Sequence, residues 1–422
     1  MAFSMTTTRS GAFYGWRVVG AAFVLAAFGW GMGFFGPPVF LRDVVEARGW
    51  PLSLVSTAVT VHFLAGAIAG ARLPELHRRF GAPAVTKAGA LCLAVGVFGW
   101  AVAAAPWQLF ASTLLSGAGW GTMSAAAINV LVSPWFVRTR PAALAMAYNG
   151  GSIGGVIFSP LWVAAIGALG FPNAAAAIGL VMACTMWMLA DLVFSRTPRQ
   201  MGLLPDGEAP GTPAVSLTSP AAKPLPGPLL WTDGKFLTLS AGMALGLFAQ
   251  IGLVAHLFSL LVPALGAQQA GLAMGLVTAV AIAGRTLLGW AMPAGADRRL
   301  MACASYAAQL AGSIVLIAAA GTNVPLLLLG VVLFGVGFGN ATSLPPLIAQ
   351  VEFVKDDVQR VVALIVGIAQ GSYAFAPAAF GLIRELAPDA AGAASGAAPA
   401  LFAAAALVQG LAIGAFLAGR RL

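Results

Sequence analysis

The segment Gly70-Ala-Arg-Leu-Pro-Glu-Leu-His-Arg-Arg-Phe-Gly81 is a short polar stretch between two long apolar runs. The run before it, 52–72, and the run after it, 83–104, both reach the length of about 20 residues that a helix needs to cross a bilayer. The glycines and the proline of the segment favour turns and helix ends. The pattern therefore predicts two membrane-spanning helices joined by a short loop.

The composition of the whole chain agrees with a membrane protein. Of its 422 residues, 60% are hydrophobic and 8% are charged, whereas soluble domains carry about 25% charged residues. So few charges cannot cover a soluble fold, which excludes a soluble enzyme, a disordered chain and a disulfide-rich scaffold. Cys92, Cys184 and Cys303 are scattered through apolar runs without metal-ligand spacing, so neither a metal site nor a cofactor is expected.

Twelve apolar runs in the chain are long enough to span a membrane. They cover residues 16–40, 52–72, 83–104, 107–133, 141–169, 173–194, 235–262, 270–292, 299–320, 324–350, 359–384 and 398–419. The sequence therefore predicts an all-α membrane protein with twelve transmembrane helices in a lipid bilayer.

The stretch 196–232 differs from the rest of the chain, because it contains eight prolines and no apolar run that could span. Its composition predicts an extended and mostly disordered cytoplasmic linker. On either side of it lie six apolar runs. We therefore expect an N-terminal six-helix bundle over residues 1–195 and a C-terminal six-helix bundle over residues 233–422.

The positive charges indicate how the helices are oriented. If the N-terminus is cytoplasmic, eighteen basic residues lie on that side, and only Arg42, Arg48 and Arg384 lie on the other. Cytoplasmic loops carry an excess of Lys and Arg, so both termini are expected to be cytoplasmic, in a multi-pass protein of the bacterial inner membrane. The net charge of +9 is then a sign of topology, and no nucleic acid is expected as a partner.

The two halves of the chain repeat one another. Gly117-Ala-Gly-Trp-Gly121 in the fourth run matches Gly335-Val-Gly-Phe-Gly339 in the tenth at an offset of 218 residues, and Arg79 matches Arg298 at an offset of 219. Because each half holds an even number of helices, the two halves run in the same direction through the membrane. Two such halves about an axis normal to the membrane are typical of transporters.

These residues resemble those of the major facilitator superfamily over all twelve runs. The stretch from Gly70 to Gly81 is similar to the loop of that superfamily between helices two and three, although Glu75 stands where aspartate is usual. Asp297-Arg298 is similar to its second-half copy. The resemblance implies two pseudo-symmetric six-helix bundles that work by alternating access. It also implies a gating role for the loop residues Gly70, Glu75, Arg79, Gly81, Asp297 and Arg298.

Shorter motifs resemble the monocarboxylate porter and oxalate/formate antiporter group within that superfamily. These motifs are Phe13–Trp16, Gly49–Pro51 and Gly202–Gly207. Arg285 falls where this group carries a carboxylate-binding arginine in helix eight. The chain departs from the group in two ways. Ala281 stands where animal members have an acidic residue, and residues 361–383 lack the lysine with which the oxalate-exchanging branch holds a second carboxylate.

Arg285 also stands out on physical grounds, because it lies near the middle of the eighth apolar run. A charged side chain at the centre of a bilayer costs from about 2.5 kcal/mol to more than 10 kcal/mol, so it faces a watery or protein-lined interior and finds a partner. The sequence shows no carboxylate at that depth. An anionic substrate is the expected counter-ion, since guanidinium binds carboxylate through two parallel hydrogen bonds. The alternative is an arginine that snorkels or pairs with carbonyl groups.

His62 is the second candidate for the substrate site and the candidate for proton coupling. The repeat aligns His62 with Ala281 and Gly66 with Arg285, and residues four apart share one helix face. If Arg285 faces a central cavity, His62 is expected on the matching face, where an imidazole titrates near neutral pH. The alternative is a histidine that is hydrogen-bonded within the protein.

Several other residues inside the apolar runs are candidates for contact with a substrate. Asn149, Asn340 and Gln370 lie at middle depth in runs that line the pathway according to the resemblance, and interhelical hydrogen bonding is the alternative role. Trp30 and Phe34 are expected to form an apolar wall. The small residues of the fifth run are expected to be a hinge and packing surface between the halves; they are Gly150, Gly151, Gly154, Gly155 and Pro160.

The sequence thus predicts a secondary active transporter for a small organic anion, most readily a monocarboxylate, that acts as a monomer. Anion exchange and proton coupling through His62 or the substrate both stay open. Efflux of amphipathic small molecules is the alternative transport function. A membrane-embedded enzyme fits less well because no nucleophile, acid/base pair or metal cluster converges. A sensor of the same fold fits less well because no output domain is evident.

Overall fold

The computed structural model describes residues 13–207, 227–291, 296–387 and 397–422, and the regular elements within these ranges are helical. Twelve helical spans among them are long and apolar enough to cross a membrane, which confirms the expected number. Spans one to twelve are Tyr14–Arg48, Leu52–Ala71, Ala82–Val102, Pro106–Trp135, Arg140–Leu169, Phe171–Phe194, Gly234–Leu265, Ala267–Leu288, Arg298–Ala318, Val324–Glu352, Arg360–Leu386 and Pro399–Arg420. Arg9 and Lys223, two of the expected cytoplasmic charges, lie outside the described residues.

Four of the spans consist of two helices that meet at a break inside the span. In span one the break follows Gly33. The carbonyl oxygen of Trp30 accepts hydrogen bonds from the backbone N–H groups of Phe34 at 2.9 Å and Phe35 at 2.8 Å, where the first helix ends. Pro37 then starts the next helix, a position where its missing N–H is not needed. The paired helices are Tyr14–Gly33 with Pro37–Arg48, Pro106–Gly121 with Ala125–Val132, Val324–Phe338 with Asn340–Glu352, and Lys355–Ala374 with Ala376–Leu386.

The repeated glycine triplets occupy the same places in the two halves. Gly117 and Gly121 lie against the backbone of span two, and Gly119 lies against span three. In the second half, Gly335 and Gly339 lie against span eight, and Gly337 lies against span nine. A side chain at any of the six would collide with a neighbouring helix, so these glycines let backbones approach closely. The internal repeat is therefore visible as one packing pattern used twice.

The loop between spans two and three is a short helix, Leu73–Phe80. It ends at Gly81, which has a φ of +80°. This left-handed conformation is strained for residues with a Cβ atom and is open to glycine. Gly81 thereby turns the chain directly into span three.

The first part of the linker is ordered, which corrects the expectation of extended chain from residue 196 onward. The carboxylate of Asp206 accepts hydrogen bonds from the backbone N–H groups of Val137, Arg138 and Thr139 at 2.9, 2.7 and 3.1 Å, and from the Thr139 hydroxyl. Partial burial alone raises the pKa of Asp206, but these four donors outweigh it and lower the pKa to about 2. Residues 196–207 are thus held against the loop before span five, whereas 208–226 lie outside the described part.

The two halves pack closely at the end of the molecule away from this linker, here called the far end. There the backbone N–H of Ser53 donates to Glu385 Oε2 at 2.8 Å, and the backbone N–H of Ala378 donates to Thr60 Oγ1 at 3.2 Å. Spans five and eight also pack together, with Gly271 against Pro160. These contacts close the far end between the halves.

The opposite end, here called the linker end, is open between the halves. Among the described helices, Ala125–Val132 does not pack closely against Lys355–Ala374, and Arg140–Leu169 does not pack closely against Asn340–Glu352. Spans five and eight therefore approach each other in their far halves and separate toward the linker end. The result is a cavity between the halves that is closed at the far end and open at the linker end.

Candidate functional site

Arg285 is half-buried and lies where spans five, eight and ten come together. It is six residues before the end of the helix Ala267–Ala291, so it lies closer to the linker end than the middle depth that the sequence predicted. A Cβ atom on Gly339 of span ten would be 3.2 Å from its Nε, so the guanidinium runs along span ten. Its Nη2 then reaches across to span five and stops 3.5 Å from the Ser152 hydroxyl oxygen. That distance is long for a hydrogen bond. Arg285 Nε is buried and has no hydrogen-bond partner among the described residues.

No carboxylate among the described residues pairs with Arg285. The salt bridges in these residues belong to other sites near the ends of spans or in loops, such as Arg42 with Glu46 at 2.7 Å and Lys87 with Asp191 at 2.5 Å. A guanidinium withdrawn from water is stabilised by an anion or by a full set of hydrogen bonds. The protein supplies one long contact, so the group is free to bind an anion that enters the cavity.

Ser152 and Asn149 form a polar strip on span five beside Arg285. The two residues are three apart and share a helix face, which continues to Val156, whose carbonyl lies against Gly275 of span eight. Asn149 is exposed and lies one turn closer to the linker end. Its contact with a substrate stays a prediction. Ser152 did not stand out in the sequence, and its spacing from Asn149 was the signal that could have found it.

Trp30 provides the aromatic surface next to this strip. A Cβ atom on Gly151 would lie 2.9 Å from the indole ring of Trp30, so the ring rests directly on the glycine. Gly151 precedes Ser152, whose hydroxyl faces Arg285. Trp30 therefore lies on the face of span five next to the one that carries Ser152, and its role as an apolar wall for a substrate stays a prediction.

Aromatic rings close the cavity toward the far end. The rings of Phe34 and Phe63 lie 6.0 Å apart, and Phe63 also meets Tyr373 of the second half at 6.1 Å in an edge-to-face arrangement. Gln370 precedes Tyr373 by one turn of span eleven. Phe34 and Gln370 thus lie toward the closed far end, and their contact with a substrate stays a prediction.

Asn340 is buried beside the site without opening into it. It follows Gly339, the residue that lies against Arg285. Its Nδ2 contacts the carbonyl of Val336 in the preceding turn at 3.5 Å. With 4% of its surface exposed, Asn340 contributes to the packing of span ten around Arg285.

His62 does not face the cavity, which corrects the pseudo-symmetry argument made for it. Its Nδ1 pairs with Ser116 Oγ at 2.8 Å and its Nε2 with the carbonyl of Gly33 at 2.8 Å. Its ring stacks on Trp120 at 5.7 Å, and 1% of the residue is exposed. Both nitrogens are therefore used inside the first half. The hydrogen-bonded alternative that the sequence left open describes this histidine.

The small residues of span five divide between two neighbours, and this corrects the expectation that they all pack between the halves. Gly150 and Gly154 lie against carbonyl groups of span one, within the same half. Gly155 meets Thr278 of span eight as well as Phe35, and Pro160 lies against Gly271 of span eight. Only the far half of this segment is therefore part of the surface between the halves.

The expected gating loops differ between the halves. In the first half, Glu75 pairs with Arg78, Arg79 lies over the ring of Phe80 at 5.2 Å, and Gly70 lies near Ser124. In the second half, Asp297 accepts hydrogen bonds from the backbone of Arg299 and Leu300 and pairs with Arg420. Arg298 donates to the carbonyl of Leu347 at 2.5 Å. All of these contacts stay within one half, so each loop is anchored to its own bundle.

Arg299 carries an interaction that sequence reasoning missed. Its Nε and Nη2 donate to the two carboxylate oxygens of Glu352 at 2.6 and 2.7 Å, and its Nη2 also donates to the carbonyl of Lys235 at 3.0 Å. With 2% of its surface exposed, Arg299 ties spans seven, nine and ten together at the linker end. The sequence could have indicated a special role for Arg299, because it follows Arg298 directly and has no matching arginine in the first half.

Twelve helices in two halves around a cavity that opens at one end define a membrane transporter. The chain belongs to the major facilitator superfamily, since the family model described as Major Facilitator Superfamily matches residues 19–377. A search of curated proteins gives no match.

Solved structures of transporters have the same fold. The nucleoside transporter NupG is 12% identical with a TM-score of 0.71, over 97% of this chain and 99% of that one. A bacterial homologue of the human lysosomal transporter Spinster, in an inward-facing and occupied conformation, is 12% identical with a TM-score of 0.71, over 97% of this chain and 98% of that one. At this level of identity the likeness shows the fold alone.

Proposed function

We propose that the protein is a secondary active transporter of a small organic anion, most readily a monocarboxylate. Arg285 carries this proposal, because it is a half-buried cation between the halves with no carboxylate partner among the described residues. A substrate carboxylate would accept two parallel hydrogen bonds from the guanidinium. Bound there, the substrate touches both halves and is exposed to each side of the membrane in turn as the halves rock.

A single carboxylate fits the site better than two. The candidate site holds one fixed cation, and residues 361–383 in span eleven contain no Lys or Arg at all. This departs from the oxalate-exchanging branch of the group that the chain resembles. The short motifs of that group and the position of Arg285 support placing the chain with the monocarboxylate porters.

The coupling we propose is anion exchange or proton transfer with the substrate. An anion entering a negative-inside cell works against about 2.3 kcal/mol per charge per 100 mV, so accumulation needs a compensating charge. His62 is a poor relay because both of its ring nitrogens are engaged. Flux into proteoliposomes under an imposed pH gradient, with and without internal anion, separates exchange from proton coupling.

Efflux of amphipathic molecules is the second candidate function, and the aromatic roof favours it. Phe34, Phe63 and Tyr373 present rings at the closed end of the cavity. A neutral substrate, such as the nucleoside in the name of NupG, would leave Arg285 without an anion. The proposal also places the chain as a monomer in a bacterial inner membrane with both termini in the cytoplasm, which the excess of basic residues supports.

Binding measurements on purified protein test the proposal. We expect acetate and lactate to raise the thermal unfolding temperature of the wild type, because a ligand that binds the folded state stabilises it. Arg285→Lys should weaken binding by about 10- to 100-fold, since hydrogen bonds to charged groups contribute about 1.5–3 kcal/mol. Arg421→Lys, a matched exposed control, should bind as the wild type does. Equal binding by Arg285→Lys would reject the proposed site.

A further inference from the structure

We propose that the preferred substrate is an aromatic monocarboxylate, whose carboxylate bridges Arg285 and Ser152 and whose ring lies on Trp30. The inference rests on the proposed function and adds the chemical nature of the substrate body. It follows from the contacts of two glycines of span five: Gly151 lies against Trp30, and Gly155, one turn further on, lies against both Phe35 and Thr278, which is two turns before Arg285 on span eight.

The gap between Arg285 and Ser152 suits one carboxylate group. Nη2 and the hydroxyl oxygen are 3.5 Å apart, and the two residues belong to different halves. A carboxylate has two oxygens, so it can accept from the guanidinium and from the serine hydroxyl at the same time. Arg285 Nε adds a buried donor with no partner among the described residues. The carboxylate therefore completes a contact between the halves that the protein alone leaves weak.

The face of span five next to this gap carries an aromatic side chain. The indole of Trp30 rests on Gly151, whose face is turned by about 100° from that of Ser152. Trp30 is half-buried, so part of the indole stays uncovered by protein. A ring attached directly or through one carbon to the carboxylate would reach that uncovered part. Rings prefer such offset-stacked or edge-to-face contacts with one another.

Beyond Trp30, the substrate body meets more rings. Phe34 and Phe35 follow Trp30 by four and five residues, at the break in span one, and Phe34 meets Phe63. Tyr373 approaches Phe63 from the second half. A short aliphatic acid would leave these faces uncovered, whereas an aryl group would bury apolar area against them.

Binding of two matched acids to the purified full chain tests the inference. Benzoate and acetate carry the same charge and differ by the ring. We expect benzoate to bind the wild type at least about 10-fold more tightly than acetate. Benzyl alcohol, which has the ring without the charge, should bind far more weakly than benzoate. Equal affinity for benzoate and acetate, or for benzoate and benzyl alcohol, would overturn the inference.

Variants of Trp30 test whether the ring of the bound acid lies on the indole. Trp30→Ala should reduce the preference for benzoate over acetate by about 2- to 10-fold, and Trp30→Phe should keep most of it. Trp107→Ala is the matched control, because Trp107 is 70% exposed at the far end of span four. Gly151→Ala provides a second test, since its Cβ displaces the indole without removing it. An unchanged preference in Trp30→Ala and Gly151→Ala would contradict the inference.

The two proposals fail in different ways. If acetate and benzoate bind equally and both depend on Arg285, the proposed function stands and the aromatic preference is wrong. If neither acid binds the wild type, both proposals are wrong.

Discussion

His62 and Arg285 lie at different depths of spans two and eight, which corrects the alignment that the repeat predicted. Gly117 packs on the carbonyl of His62 and its counterpart Gly335 packs on that of Val277, so His62 corresponds to Val277, and Arg285 lies two turns closer to the linker end. The imidazole is short and ends at Ser116 and Gly33 within its own half. The guanidinium is long enough to pass span ten and approach Ser152 in the other half.

This comparison predicts that His62 contributes to stability and leaves coupling unaffected. His62→Ala removes the imidazole that pairs with the Gly33 carbonyl, and a buried group left unpaired costs about 1–3 kcal/mol, whereas the Ser116 hydroxyl keeps Trp100 and the Thr113 carbonyl as partners. The unfolding temperature of purified protein should therefore fall. His77→Ala is the matched control, because His77 makes no side-chain hydrogen bond among the described residues. If coupling uses protons, His62→Ala should keep a strict dependence on the pH gradient, and loss of that dependence would restore the relay hypothesis.

The charged residue of the site could be predicted from the sequence, whereas its polar neighbour could not. An arginine in the middle of an apolar run demands a partner, so Arg285 could be found from the sequence alone. Ser152 could not, because a serine in a membrane helix commonly bonds to its own backbone. The direction of His62 could not be found either, since a repeat aligns backbones without fixing which side chains extend past the neighbouring helix.

At the scale of elements, spans two and eleven close the far end through matched positions. Ser53, Ser56 and Thr60 lie along one face of span two and meet Glu385, Gly381 and Ala378 of span eleven in antiparallel order. Ser56 Oγ is buried and has no hydrogen-bond partner among the described residues. The closure therefore depends on close approach at Gly381 together with the two hydrogen bonds beside it.

Gly381→Ala should open the far end. Its Cβ would lie 2.6 Å from Ser56 Cβ, which is too close for the helices to keep their packing. Gly371→Ala is the control in the same span, because a Cβ there meets no atom within 4 Å. Spin labels on cysteines at Leu52 and Leu386, with the native cysteines replaced, report the separation of these spans. A longer distance is expected for Gly381→Ala only, and equal distributions in the two variants would contradict the account.

Asp206 should make the start of the linker sensitive to acid. Its pKa is lowered from 3.8 to about 2 in the folded protein, so its contribution to stability is present above pH 4 and is lost as pH falls toward 2. The hydrogen-exchange protection of the amides of residues 137–139 should fall over that range, and Asp206→Asn should reduce it already at pH 7. Asp233→Asn, which makes the same change of charge at the N-cap of a different helix, should leave it unchanged. Full protection in Asp206→Asn would show that the carboxylate does not hold the linker.

The elements could be predicted in number and place but not in their breaks. Length and hydropathy set the twelve spans, because every backbone group in a bilayer must be satisfied within a helix. The break after Gly33 depends on how Phe34 and Phe35 pack, which no periodicity shows. The order of residues 196–207 was missed because composition describes the average of a segment, whereas Asp206 makes four specific bonds.

At the scale of the whole molecule, closure at the far end and separation at the linker end describe one of the two states that alternating access requires. The loops at Arg79 and Arg298 stay attached to their own halves, and the Arg299–Glu352 pair stiffens the linker end of the second half. Each half can therefore move as a unit. An anion bound between Arg285 and Ser152 would contact both halves at once.

The charge distribution predicts the orientation of this state. If the linker end is cytoplasmic, as the basic residues indicate, the open cavity faces the cytoplasm. A cysteine at Thr197, in a background without the native cysteines, should react with a membrane-impermeant reagent only after cells are permeabilised. Labelling in intact cells would show that the linker end lies outside the cell. The cavity would then open to the outside and not to the cytoplasm.

Transport through Arg285 is the central claim, and flux into proteoliposomes tests it most directly. Wild-type protein should exchange external radiolabelled benzoate for internal benzoate, Arg421→Lys should do so at the same rate, and Arg285→Lys should lose about 10- to 100-fold of that rate because lysine does not reproduce the paired hydrogen bonds of guanidinium. Full flux in Arg285→Lys would contradict the claim that this arginine binds the transported anion.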